Sequence, residues 1–279
     1  MLDKYEMTQE QNIEIAKRLL VDAIYKSANL EGIAVTYAQT NDILNNVAVP
    51  QITPNEIMKV CCLRDSWHYL LDHINDDMHL GYLENIHSFV AKADVPYYEL
   101  GRIRHEDVLI SGTNWRPELP DPEKLHRELS DIMSMDCCTD KAITLMLWAM
   151  RNQIFKDGNK RVATLAANKV LIEEGRGVIQ IPVELDGAFK QMLVEYYETN
   201  DMSQIKPFIY ENCMNGLNEI KRYPIQEELT NTSSILEPEI LNPIEMMDKA
   251  LQKIEAEEKN AESNFIENEF DKDNDEPLK

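Results

Sequence analysis

Apolar positions recur along most of the chain at helical rather than strand spacing. In residues 8–29, Ile13, Ala16, Leu19, Leu20, Ala23 and Ile24 fall on one stripe, which predicts an amphipathic helix closed by Gly32. Thr36 with Gln39 reads as a capping box for a short helix reaching about Asn45. Thr53 and Pro54 with Glu56 open a longer helix to about Asp77, with proline at the first helical position. Further helices are predicted over about 80–93, 122–135, 140–156 (capped by Thr139), 160–174 (ended by Gly175), 184–199 and 203–216. The stretch 97–120 breaks this rhythm. Arg104, Val108, Ile110, Gly112, Pro117 and Pro120 predict a short hairpin or an irregular flap. After Lys221, Pro224, Pro238 and Pro243 punctuate polar sequence, so a linker is expected at about 222–241. Asn242-Pro243 with Glu245 starts a last predicted helix over 243–258, and a disordered acidic tail follows.

Composition agrees with a mainly α fold. Glycine is scarce, and 43% of the 279 residues are apolar, enough for a sizeable core. The net charge of −22 excludes a nucleic-acid or anionic-membrane binder as the first reading, because such a surface repels both. Part of that charge is terminal: residues 255–279 carry ten Asp or Glu and three Lys. The five cysteines form two adjacent pairs and a singleton, which is neither a disulfide framework nor a metal spacing. Reduced, buried thiols are expected. The first twenty residues mix charges among apolar positions, unlike a signal peptide. The longest uncharged helical stretch, 142–150, is too short for a membrane span, so a cytoplasmic protein is expected.

The chemistry concentrates in Gln153-Ile154-Phe155-Lys156-Asp157-Gly158-Asn159-Lys160-Arg161. A buried helix stops, turn-forming residues intervene, and a new helix begins. The start of that helix offers unpaired backbone N–H groups and the positive end of its dipole. Gly158 permits close approach, Asn159 offers an amide donor, and Lys160 and Arg161 add charge, together a site for a polyphosphate. Asp157 beside it suits Mg²⁺ (or Mn²⁺), which binds through one or two carboxylates plus substrate phosphates. On residue types alone, a capped interhelical turn with surface charges reads somewhat better.

This stretch resembles the Fic/Doc signature H-x-F-x-[DE]-G-N-[GK]-R, matching at Phe155, Asp157, Gly158, Asn159, Lys160 and Arg161. The similarity extends over roughly 20–216, with 101–120 in the place of the family's flap. The resemblance implies a mainly α, Fic-type helical bundle with a short β-hairpin flap. It implies an adenylyltransferase that takes ATP and passes AMP to a Ser, Thr or Tyr hydroxyl of a protein substrate. Asp157 would then hold the metal, Gly158 and Asn159 would cradle the α- and β-phosphates, and Arg161 would meet the β/γ end. Val108, Ile110 and Gly112 would grip the target segment by strand addition.

Two positions depart from the signature. Gln153 stands where the family has its catalytic histidine, and a primary amide cannot take a proton near neutral pH. Loss of a general base costs on the order of 10²–10⁴-fold. His105, at the start of the flap, is an alternative base by position but reads better as a surface or structural residue. Lys160 replaces the usual second glycine, as in Doc-type members that use this fold for phosphoryl transfer, and Thr164 replaces the second arginine. Upstream, Ser27-Ala28-Asn29-Leu30-Glu31-Gly32 is similar to the family's inhibitory motif [ST]-x-x-x-E-[GN], in which the glutamate blocks the γ-phosphate position. With Thr164 in place, Arg161 would have to receive Glu31.

The expected organisation is a helical region at 1–50 carrying the inhibitory helix (about 8–32), a Fic core at 51–221 with the flap at 101–120 and an anion-binding loop at 157–161, then 222–279. Three readings remain: an autoinhibited transferase, a catalytically impaired module that binds a nucleotide or a partner, and a Doc-like phosphoryl transferase. A homo-oligomer is compatible with each.

Overall fold

Side-chain caps fix half of the ten described helix starts. The computed structural model describes residues 1–217. Thr8, Thr36 and Thr53 each close a reciprocal capping box, with Gln11, Gln39 and Glu56. The described helices are α1 (Gln9–Arg18), α2 (Leu20–Leu30), α3 (Tyr37–Leu44), α4 (Pro54–Asp72), α5 (Leu80–Val90), α6 (Pro122–Met133), α7 (Cys138–Asn152), α8 (Asn159–Glu173), α9 (Asp186–Thr199) and α10 (Ile205–Asn212). The single helix expected over 8–29 is two. Leu19 breaks it at φ −87° and ψ 0°, and the Gln180 side chain donates to the Leu19 carbonyl at 3.3 Å.

The antiparallel hairpin α7–α8 is the centre of the bundle, with α1, α4 and α5 packed against α8. Every residue of α8 from Val162 to Ile172 except Thr164 is buried. Such a helix is mostly apolar because protein surrounds it, with Asn168 and Lys169 as its buried polar residues. Its end is a Schellman motif: Arg176 N–H bonds Leu171 O at 2.7 Å, and Gly175 N–H bonds Ile172 O at 3.2 Å. Gly175 adopts φ +68° with the Met7 backbone against its Cα, so no side chain fits there.

Strand structure among the described residues is one short antiparallel pair, β1 (Val178–Ile179) with β2 (Met214–Asn215). The flap segment 101–120 contains no strand and is irregular, so strand pairing lies outside it. The Asn168 side chain bonds both the N–H and C=O of Ile179, at 2.7 and 3.0 Å. Buried Asn12 does the same for Gly177, at 2.7 and 3.1 Å. All five cysteines are free, and burial pushes the Cys138 and Cys213 thiols up to about 12. No described helix is long and apolar enough to cross a membrane. The linker, the 243–258 helix and the tail lie outside the described residues.

Candidate nucleotide site

The loop between α7 and α8 is braced from within. Helix α7 ends at Asn152, four residues earlier than expected, because Gln153 turns into the left-handed region at φ 46°. Gly158 makes a second left-handed turn at φ 78°, and α8 starts at Asn159. The Asn159 side chain holds the loop closed. Its Oδ1 accepts from Phe155 N at 2.9 Å, and its Nδ2 donates to Phe155 O at 2.7 Å and to Gln153 Oε1 at 3.2 Å. That amide is therefore engaged by the loop, whereas the sequence suggested a donor open to ligand. The backbone N–H groups of Asn159, Lys160 and Arg161 have no acceptor among the described residues, as expected of a first helical turn.

Behind the loop stands His87, which sequence reasoning passed over. Its ring stacks on Phe155 at 4.1 Å, nearly coplanar. Gly101 N donates to its Nδ1 at 2.9 Å, so Nε2 carries the proton and donates to Asp157 O at 3.1 Å. Burial lowers its pKa to about 4. His87 is thus a neutral strut.

Charge pairs run through the base of the site. Arg161 and Asp94, each 3% exposed, pair at 2.7 Å, and Lys59 meets Asp94 at 2.6 Å. Asp157 approaches Arg161 at 3.3 Å. From the end of α2, Glu31 reaches in to 3.5 Å from Lys160 Nζ and 4.0 Å from Arg161 Nε. Burial alone would lower the Arg161 pKa; Glu31 first and Asp94 next outweigh it and hold the guanidinium above its ordinary value. Burial likewise works against the Asp94 carboxylate, yet Arg161 and Lys59 keep its pKa below the usual range. Glu31 Oε1 and Arg161 Nε are both buried without a hydrogen-bond partner.

Above these charges opens a cleft of about 430 Å³. Glu31, Val108, Ile110, Gln153, Asp157, Gly158, Asn159 and Lys160 all line it. Arg161 and Ser27 face a small neighbouring cavity instead, together with Thr164, and Gly112 lies against Val194 of α9. One face of α9 completes the cleft with Lys190, Leu193, Val194 and Tyr197. Their helical spacing was visible, but nothing in it marked a binding face. Burial raises the Tyr197 phenol above its ordinary pKa, with Gln153 acting in the opposite sense.

Gln153 is occupied on both sides, its Nε2 donating to Met150 O at 2.6 Å and its backbone C=O accepting from Arg104 Nε at 2.6 Å. Arg104, nearly fully buried, also donates to Glu106 O at 2.8 Å and Glu118 O at 2.5 Å, fastening both ends of the flap. No histidine lines the cleft; His105 is exposed beside Glu106. Asp157 is half exposed, and only its Oδ1 is engaged, by Gly158 N and Arg161. No cluster of three metal-ligating side chains exists among the described residues. The donor set therefore fits a Mg²⁺ carried in by phosphates and met by one carboxylate.

Residues 77–171 match the model of the Fic/DOC family. Solved structures agree in fold. A segment of Fic-1 from C. elegans is 21% identical with a TM-score of 0.56, over 70% of this chain and 60% of that one. A Fic family protein from Desulfovibrio desulfuricans G20 is 18% identical with a TM-score of 0.57, over 74% and 66%. A Fic domain containing signaling protein from Bacteroides thetaiotaomicron is 17% identical with a TM-score of 0.56, over 72% and 80%. The chain thus spans less than two thirds of the matched Fic-1 segment. No curated protein matches the sequence.

Proposed function

We propose that this chain is a Fic-type protein adenylyltransferase, restrained by Glu31 and slowed by Gln153. ATP would place its phosphates at the open amides of Asn159, Lys160 and Arg161, where the helix dipole favours negative charge. Asp157 would meet the Mg²⁺, which would neutralise phosphate charge as the leaving pyrophosphate develops. Gln153 would orient the attacking hydroxyl without taking its proton, and residues 108–111 would hold the target segment along the cleft wall.

One observation carries the reading: a carboxylate on a separate helix, Glu31, lies against Lys160 and Arg161 at the start of α8. A phosphate and this carboxylate compete for the same positive field. The test is intact mass after incubation with ATP and Mg²⁺ or Mn²⁺, for the full chain and for Glu31→Gly. Addition of an adenylyl mass, larger in the variant, supports the proposal; a phosphoryl mass would replace it with the Doc-like reaction.

A second reading also has an observation in its favour. The Gln153 amide is tied into the loop and no histidine faces the cleft, which suits a module that binds a nucleotide without chemistry. ATP binding with no mass addition at high protein concentration would select it.

A further inference from the structure

The flap has a second wall. Beyond Trp115 its descending limb leaves α6 and the end of α7, enclosing a polar pocket of about 220 Å³. We propose that this pocket docks a carboxylate side chain presented by an acidic segment of a protein partner.

The pocket is built around Arg151. Its Nε donates to Tyr197 O at 3.2 Å, and its guanidinium lies over the Trp115 ring at 4.8 Å. Trp115 is itself stacked on Tyr197 at 5.5 Å, and its backbone N–H donates to Thr113 Oγ1 at 2.9 Å. The guanidinium is thus fixed in position while its two terminal amino groups have no acceptor among the described residues. Arg116, exposed and also lining the pocket, makes no hydrogen bond or ion pair among the described residues. Two unpaired arginines at one pocket stand out in a chain with 50 acidic and 28 basic residues, where counter-charges abound. The acids that line the pocket already have partners: Glu118 pairs at 3.3 Å with Lys124, a third cation on the lining, and Asp121 caps α6 by accepting from Glu123 N at 3.0 Å.

Carboxylate is the chemistry that fits. A planar fork held by stacking recognises a planar two-oxygen group with paired hydrogen bonds. The volume is ample for an acidic side chain. The position gives the docking a use. Residues 108–111 line the nucleotide cleft and 115–120 line this pocket, so an extended segment lying along the flap would touch both. An acidic residue seated here would fix the register of whatever the other wall holds.

The test needs neither nucleotide nor transfer, so its failure leaves the nucleotide reading untouched. A capped Gly-Glu-Gly peptide is titrated into the full chain, and the Trp115 indole N–H signal is followed by NMR, assigned with Trp115→Phe. The expected result is a saturable shift, at least about tenfold weaker with capped Gly-Gln-Gly, as for a charged hydrogen-bond partner made neutral. Arg151→Gln and Arg116→Gln should each weaken the Glu peptide. Arg116 is exposed, so its variant reads binding even if the Arg151 variant loses fold. Equal response to the two peptides, or unchanged binding by Arg116→Gln, overturns the proposal. So does inorganic phosphate that binds more tightly than the peptide and displaces it, which would make the pocket a phosphoryl site.

Discussion

The Glu31 carboxylate lies 3.5 Å from the Lys160 ammonium, and its nearer oxygen is buried without a hydrogen bond. Attraction holds it there, while an unsatisfied buried acceptor costs about 1–3 kcal/mol. A contact so balanced is displaceable. Glu31→Gly should therefore tighten ATP–Mg²⁺ by about 5–30-fold, equivalent to one or two kcal/mol. Calorimetry reads this directly, and unchanged affinity would mean that Glu31 and the phosphates do not compete.

Gln153→His restores an imidazole where the family has one. Position 153 is left-handed at φ 46°, a region that histidine tolerates better than most residues. The change removes proton acceptance as the missing step, and Glu31→Gly acts on nucleotide placement, so the double variant should be the most active form. The base alone should contribute about 10²-fold or more. Intact mass on the chain and on lysate proteins measures it. A double variant that binds ATP and transfers nothing would leave only the binding-module reading.

Arg161→Ala should chiefly damage the fold. The guanidinium pairs with Asp94, both side chains 3% exposed, and breaking such a buried pair costs at the low end of about 3–5 kcal/mol because Lys59 still meets Asp94 at 2.6 Å. Lys160→Ala touches no such pair and should lower nucleotide affinity with little change in Tm. Thermal melts beside calorimetry separate the two. If Arg161→Ala kept its Tm and lost only ATP binding, the residue would be a ligand rather than a strut.

His87 makes stability depend on acidity. Its pKa falls from 6.5 to about 4 on folding, with burial as the main cause. As pH drops, the unfolded chain binds the proton first. The contribution is intact above about pH 6.5, declines between 6.5 and 4, and stops declining below, for a total near 3 kcal/mol. Urea unfolding of the wild type and His87→Gln at pH 7 and 4.5 should show a shallower loss in the variant. Equal losses would assign the acid sensitivity to carboxylates.

The capping boxes at Thr36 and Thr53 were legible because each is an exchange of hydrogen bonds between residues three apart, and the turn at Asp157–Gly158 because glycine supplies its left-handed conformation. The break at Leu19 was not, since the bond that attends it comes from Gln180, far away in sequence. Glu31 was found through a short motif, and Lys160 as its neighbour through no motif at all: the pairing depends on how α2 approaches α8. Lys190 and Tyr197 share a helix face with many equivalents elsewhere, so only tertiary placement singles them out. The Asn159 amide was assigned to ligand because sequence does not show that Phe155 claims both of its ends.

Arg104 grips Gln153, Glu106 and Glu118 through backbone carbonyls alone, so side-chain changes at those three positions leave its grip intact. One side chain thereby closes a ring that the peptide backbone completes from 106 to 118. A protease cutting inside that ring would sever the covalent path and yet release neither stump. Nicked protein would run as two fragments in denaturant and as one folded body without it. The flap could accordingly diverge in length and sequence between its two fastenings while the loop beneath it stays in register.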